Sequence, residues 1–201
     1  LVDIMFTTPV VYNMANKQYE DWMDKYAVES IFAQKHNTNP RNLIEMYALE
    51  PNVNRSIWSV AFLKKYDFEF PVGVKWEDVY PHFYLFYHAR SCVYVKNAGF
   101  IYRINSGGQI TSMSGSARLD IIPAFENSLR FAFENHWNEH EIAYIIRMME
   151  SFVRWSMGMS TKPVRRALCA KVHVLFNMIP HGYLKAYYRE FGFGRAVKLY
   201  F

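Results

Sequence analysis

Cysteine is scarce in this chain. Two occur in 201 residues, Cys92 and Cys169, 77 positions apart. That excludes a disulfide framework and a zinc-ribbon spacing, and a reducing compartment is the simpler expectation. No run of 18 or more apolar residues is present, so no transmembrane helix is predicted. A Gly-rich phosphate loop and a G-x-S-x-G nucleophile turn are both missing, which removes two common enzyme chemistries. Internal repeats and low-complexity blocks are missing as well. The opening residues, Leu1-Val2-Asp3-Ile4-Met5-Phe6, carry no basic leader, no small-residue cleavage site and no initiator Met. No secretory signal is therefore predicted, and the chain is expected to begin inside a longer protein.

What remains is a core-forming composition. Half of the residues are hydrophobic (51%), and aromatics reach 18%, with 15 Tyr and 16 Phe. The length suits one sizeable domain or a domain plus an appendage. The net charge of +5 is unevenly spread. Residues 151–201 hold nine Lys/Arg and one acidic residue, a net of +8, whereas residues 1–150 come to −3. Such asymmetry points to an anionic partner for the C-terminal segment, a membrane surface or a nucleic acid.

Along the chain, Val2 to Val11 reads as a strand entering a loop. Tyr12 to Tyr26 is polar, with Trp22 and Met23 as anchors, and Val28 to Ala33 fits a short strand or helix. His36 to Arg41 reads as a loop, and Asn42 to Leu49 as one or two helical turns. Ser56 to Tyr66 has helical spacing in Ile57, Val60, Ala61 and Lys64. Cys92 to Val95 and Gly99 to Arg103 read as two strands joined by a tight turn at Lys96-Asn97-Ala98, and Ser106-Gly107-Gly108 as a flexible loop. Ser116–Glu134 and Glu139–Met157 carry two apolar helical stripes and predict an antiparallel hairpin turning at Asn135–Asn138. A third helix, opened by Pro163, spans Val164 to Ile179. Its apolar face is Val164, Leu168, Val172, Leu175, Met178 and Ile179, with Arg165, Arg166, His173 and Asn177 opposite and Lys171 able to snorkel outward.

The stretch that organises the chain is Phe70-Pro71-Val72-Gly73-Val74-Lys75-Trp76-Glu77-Asp78-Val79-Tyr80. It sets a Pro/Gly turn before adjacent carboxylates at a predicted helix start, with Pro81 in the first turn and the helix running to about Arg90. A carboxylate there meets the positive end of the helix dipole, so Asp78 is expected to stay ionised near neutral pH. Two roles fit: a helix cap, and a general base.

The flanking segments bear on that choice. Asn54-Arg55-Ser56-Ile57-Trp58-Ser59-Val60-Ala61-Phe62-Leu63 and Tyr66-Asp67-Phe68-Glu69-Phe70-Pro71 come before the pair. Phe100-Ile101-Tyr102-Arg103-Ile104-Asn105 and Gln109-Ile110-Thr111 come after it. In this order and spacing, residues 1–112 resemble the C-terminal half of family 2 glycosyltransferases. The resemblance implies a mixed α/β fold, part of a GT-A-like nucleotide-diphospho-sugar transferase, followed by a helical C-terminal appendage. It divides the chain into residues 1–112, the acceptor-side part of the catalytic domain, residues 113–160, the helical hairpin, and residues 161–201, a basic aromatic amphipathic tail.

By the same resemblance, Asp78 deprotonates an acceptor hydroxyl that attacks the anomeric carbon of a nucleoside-diphosphate sugar with inversion. Glu77 orients the acceptor or the loop, Trp76 offers a flat face to a sugar ring, and Arg103 sets a cation near the leaving group or braces a strand end. His82, four residues after Asp78, is either its ion-pair partner or an aid at a diphosphate-bound metal. The family's Asp-x-Asp metal motif does not occur in this chain. The donor half is therefore expected upstream, together with the ligands of a divalent cation, Mg or Mn, and the chain alone is expected to be inactive.

Rival readings are weaker. His136-x-x-x-His140-Glu141 offers two imidazoles to a metal but straddles a predicted turn. A glycosidase pairing of Glu77 with Asp78 conflicts with the roughly 5–9 Å that such carboxyls keep across the scissile bond. The tail mixes Tyr183, Leu184, Tyr187, Tyr188, Phe191 and Phe193 with Lys185, Arg189, Arg195 and Lys198. That mixture predicts peripheral membrane contact through Arg165, Arg166, Lys185, Arg189, Tyr187 and Tyr188. The family resemblance implies that this is the inner, cytoplasmic face and that the task is surface polysaccharide or glycolipid synthesis on a free or lipid-linked acceptor. The other reading is a non-enzymatic module whose tail binds membrane or, less favoured, nucleic acid. A helix packed on the protein with a solvated basic face fits the same residues.

Overall fold

Strand β1 (Ile4–Thr7) lies at the centre of one three-stranded sheet, and β2 (Val10–Asn13) at the centre of another. Pro9 separates them because it has no N–H to give to a ladder. Around β1 run the antiparallel β4 (Ser56–Trp58) and the parallel β5 (Cys92–Val95). Around β2 run the antiparallel β3 (Gln18–Asp21) and the parallel β6 (Ile101–Ile104). The chain is thus mixed α/β with two small mixed sheets. These relations come from a computed structural model that describes residues 2–33, 37–96, 99–107 and 112–192. His36, Asn97, Ala98, the run 108–111, and Phe193, Arg195 and Lys198 of the tail lie outside the described residues.

The chain divides into two compact units. The first, residues 1–72 and 81–109, holds both sheets, α1 (Lys25–Phe32), α2 (Val60–Lys65) and most of α3 (Val79–His88). Its core is aromatic, with Phe6 against Phe32 and Phe86 at centroid distances of 6.3 and 6.0 Å. Two sequence expectations fail here. Ser56 to Tyr66 is not one helix: Ser56–Trp58 pairs with β1, and the Ser59 side chain accepts the Phe62 N–H, so α2 begins only after that cap. Ile57 is accordingly 62% exposed on a strand. Likewise β5 and β6 do not pair with each other. Each runs parallel to a different central strand, and at Gly99 a Cβ would come within 2.8 Å of Thr7 Oγ1. Val28 to Ala33 resolves as helical, and the Tyr12–Tyr26 stretch holds the β2–β3 hairpin, with Trp22 buried and Met23 exposed.

The second unit comprises residues 73–80 and 110–201. A short 3-10 turn (Ser116–Asp120) leads into α4 (Ile121–Glu134), α5 (Glu139–Met159), α6 (Lys162–Asn177) and α7 (His181–Phe191). The turn between α4 and α5 falls where the apolar stripes place it. Asn138 caps α5 in a reciprocal capping box with Glu141, and Trp137 is buried beneath. The stripe residues Ile122, Phe125 and Leu129 of α4 and Ile142, Ile145, Ile146, Met149 and Val153 of α5 form this unit's core. The apolar face of α6 joins it through Leu168, Val172 and Leu175.

Candidate functional site

The loop before α3 clusters with the helical unit. It turns at Gly73, whose φ of +77° favours glycine although a Cβ would meet no atom within 4 Å. Lys75 donates its backbone N–H to Asp120 Oδ2 at 3.1 Å. Trp76 then takes φ +65°, a left-handed conformation that costs a bulky residue free energy. The surrounding packing sustains it. Trp76 is 8% exposed, its ring lies edge-on to Trp155 at 5.2 Å and to Phe152 at 6.0 Å, and the Arg118 guanidinium sits 5.4 Å from its centroid. The Val79 N–H returns to the Trp76 carbonyl at 3.2 Å. That turn carries Glu77 and Asp78 and delivers them to the start of α3.

Burial raises the Asp78 carboxyl to about 7, the neighbouring Glu77 charge adds to this, and a backbone N–H opposes both. Asp78 therefore holds its proton well above the ordinary carboxylate range, rather than being fully ionised at neutral pH. The helix terminus alone would stabilise the anion, but loss of water outweighs it. A carboxyl titrating near 7 suits general-base work, where the group must be free to accept a proton yet basic enough to hold it.

Trp76 is a core residue of the helical unit, not an open stacking platform for a sugar. His82 belongs to the sheet unit and is buried there. Burial and the Arg55 charge push it down to about 3, against hydrogen bonding to the backbone of Tyr47 and Met46. Its ring lies 4.7 Å from Phe86. A histidine neutral at pH 7 makes no ion pair with a carboxylate, so that role for His82 is set aside. Arg103 is exposed on β6, in register with Tyr12 of β2.

The basic tail divides in two. Tyr187 is buried, and its hydroxyl donates to Glu150 Oε2 at 2.6 Å, so it is a core residue rather than a membrane contact. Tyr183 stacks on Phe133 and Phe191 meets Tyr144, which turns the aromatic side of α7 toward its own unit. Arg165 is exposed, but its guanidinium donates to the carbonyls of Met157 and Ser160 at the end of α5. Arg189 lies 3.6 Å from Glu139, and Tyr188 is half-buried beside Tyr187. Arg166, Lys171 and Lys185 are exposed.

Among the described residues no group of three or more His, Cys, Asp or Glu is placed to hold a metal ion. The described side chains thus do not by themselves fit a divalent cation. His140 faces Glu190 at 3.4 Å rather than pairing with His136. Among the described residues no helix is long and apolar enough to cross a membrane.

Sequence reasoning missed two buried arginines. Arg55 makes a two-pronged ion pair with Asp24, at 2.7 and 2.8 Å, beneath the Phe6 ring. Arg118 lies 4.2 Å from the centroid of Trp155 and donates to the Met113 carbonyl at 2.6 Å. Only the capping signature Asn138-x-x-Glu141 was available as an overlooked local signal; the arginine contacts are long-range. Comparison with protein families and with curated proteins finds no match to this chain.

Proposed function

We propose that the chain is the acceptor-side part of an inverting, nucleotide-sugar-dependent glycosyltransferase of the GT-A type, with Asp78 as its general base. The observation that carries this reading is the carboxyl of Asp78, held at about 7 by burial and by Glu77, at the end of a strained and tightly packed turn. Asp78 takes the acceptor's hydroxyl proton while the oxygen forms its bond to the anomeric carbon. The bond from that carbon to the nucleoside diphosphate breaks on the opposite face. Glu77 raises the proton affinity of Asp78 and orients the loop. Arg103, to which the family resemblance gives a role at leaving-group charge, is exposed on β6 of the sheet unit. The intact enzyme is expected to use a divalent cation, Mg or Mn, held outside this chain.

The test is transfer from a panel of nucleoside-diphosphate sugars by the intact protein. Asp78→Asn is expected to lower kcat by at least about a hundredfold, in the range typical of general-base loss, while donor binding is kept. In the unaltered enzyme, kcat/KM should rise with pH and level off above about 7, because the base must be deprotonated. Retained turnover in the Asn variant removes Asp78 from the role.

A second reading rests on the exposed Arg166, Lys171 and Lys185. They support peripheral attachment to the anionic, cytoplasmic face of a membrane, either for a lipid-linked acceptor or as the chain's whole task. Co-sedimentation with anionic vesicles should fall when these three are changed to Gln. Undiminished vesicle binding, or steeply salt-dependent RNA binding in its place, counts against the membrane.

A further inference from the structure

The exposed apolar residues Met5 and Ile57 on the β4–β1–β5 sheet, the aromatic ladder Phe68–Tyr84–His88 and the buried Tyr187–Glu150 pair all stand out. None goes as far as the surroundings of Trp76. A tryptophan in the left-handed region is an outlier, and such strain persists only where neighbouring structure over-determines it. Here the neighbours can be named. Asp120 holds the loop backbone at Lys75, Trp155 and Phe152 meet the ring edge-on, and Arg118 lies over both indoles. Arg118 is itself anchored by the carbonyl of Met113. Every one of these groups comes from the 3-10 turn Ser116–Asp120, its approach, or the later turns of α5.

We propose that Arg118 and Trp155 are positioning residues: they clamp Trp76 in its left-handed turn and so hold the next two residues, Glu77 and Asp78, in place. The helical segment is then part of the machinery that sets the carboxylate pair, rather than an appendage to it. A role in catalysis rests on the reading of Asp78 as general base; the effect of the clamp on the carboxyl does not.

The physical consequence is specific. A loosened loop lets water reach Asp78 and lets Glu77 swing away, and both changes make its carboxyl more acidic. The charged groups along the loop and its anchor are Glu77, Lys75, Asp120 and Arg118. The probe is the carboxyl resonance of Asp78, assigned by its loss in Asp78→Asn and followed by carbon NMR from pH 4 to 9 in the full chain.

In Arg118→Met and in Trp155→Ala the titration midpoint is expected to fall by about one unit or more. Trp155 is 37% exposed, so its removal is the milder change and keeps the test decisive even if Arg118→Met fails to fold. Arg118→Lys keeps the charge but not the planar face, and should fail to restore the midpoint. A purely structural role would lower the melting temperature and leave the midpoint where it was. An unmoved midpoint in folded Trp155→Ala, or full restoration by Lys, overturns the clamp. If the midpoint moves as expected while Asp78→Asn still transfers sugar, the clamp stands and the base assignment falls.

Discussion

Arg55 in the sheet unit and Arg118 in the helical unit are both 1% exposed, yet their charges are accommodated by different means. Arg55 meets Asp24 through two hydrogen bonds, donates to the Glu50 carbonyl at 3.2 Å and covers the Phe6 ring at 4.5 Å. Asp24 in turn accepts the Glu50 N–H at 3.0 Å, so the pair ties α1 to the segment before β4. Arg118 lies over the indoles of Trp76 and Trp155 and donates to a backbone carbonyl. The first arrangement is a lock, since a buried charge left without its partner is costly. The second is a stack of moderate contacts set beside a strained turn and a carboxyl pushed up to about 7. A buried charge met by a carboxylate and a buried charge met by aromatic faces have different tolerances to mutation.

That difference can be broken experimentally. The largest effect is expected at the lock. Asp24→Ala strands the Arg55 charge in the core and should cost about 3–5 kcal/mol in denaturant unfolding. Arg118→Met removes stacking and the hydrogen bond to the Met113 carbonyl but keeps an apolar stem in the same space, for a smaller loss of about 1–3 kcal/mol. Equal losses in the two variants would dissolve the contrast. Asn138→Ala sharpens it from outside both clusters. The capping box of α5 loses one member, and about 1 kcal/mol should go, with no change in how Asp78 titrates.

The helical unit was the more legible in the sequence. Stripes such as Leu119, Ile122, Phe125 and Leu129 run over several turns, and the 3.6-residue period is then hard to mistake. The strands have only three or four residues, too few for a period of two to declare itself, and their partners lie far along the chain. Hence Ser56–Trp58 reads as the start of a helix, and β5 and β6 read as a hairpin. Long-range contacts also decide which rings of α7 are core. Tyr187 and Tyr188 are adjacent and alike in sequence, but the first is buried with its hydroxyl on Glu150 and the second is half-buried. At the candidate site the Glu77–Asp78 pair was visible, and the charge state of Asp78 was not. The helix-terminus argument sets the direction of a local field, whereas burial depends on Trp76 and its neighbours being where they are.

The most direct test of the account is the stability difference between Asp78→Asn and the unaltered chain as a function of pH. In the native protein Asp78 holds its proton up to about 7, while the unfolded chain releases it near the ordinary value of 3.8. Between those limits the native state binds more protons than the unfolded state, so this group's contribution to stability falls as pH rises and is constant above about 7. Asparagine carries no such proton. The variant should therefore match the unaltered chain near pH 4, gain on it steadily, and exceed it above about pH 7 by roughly 1–3 kcal/mol, after allowance for partial exposure of the site. A flat difference across that range would mean an ordinary, solvated carboxylate at the start of α3. The central claim, a carboxyl tuned by burial for proton transfer, would then be wrong.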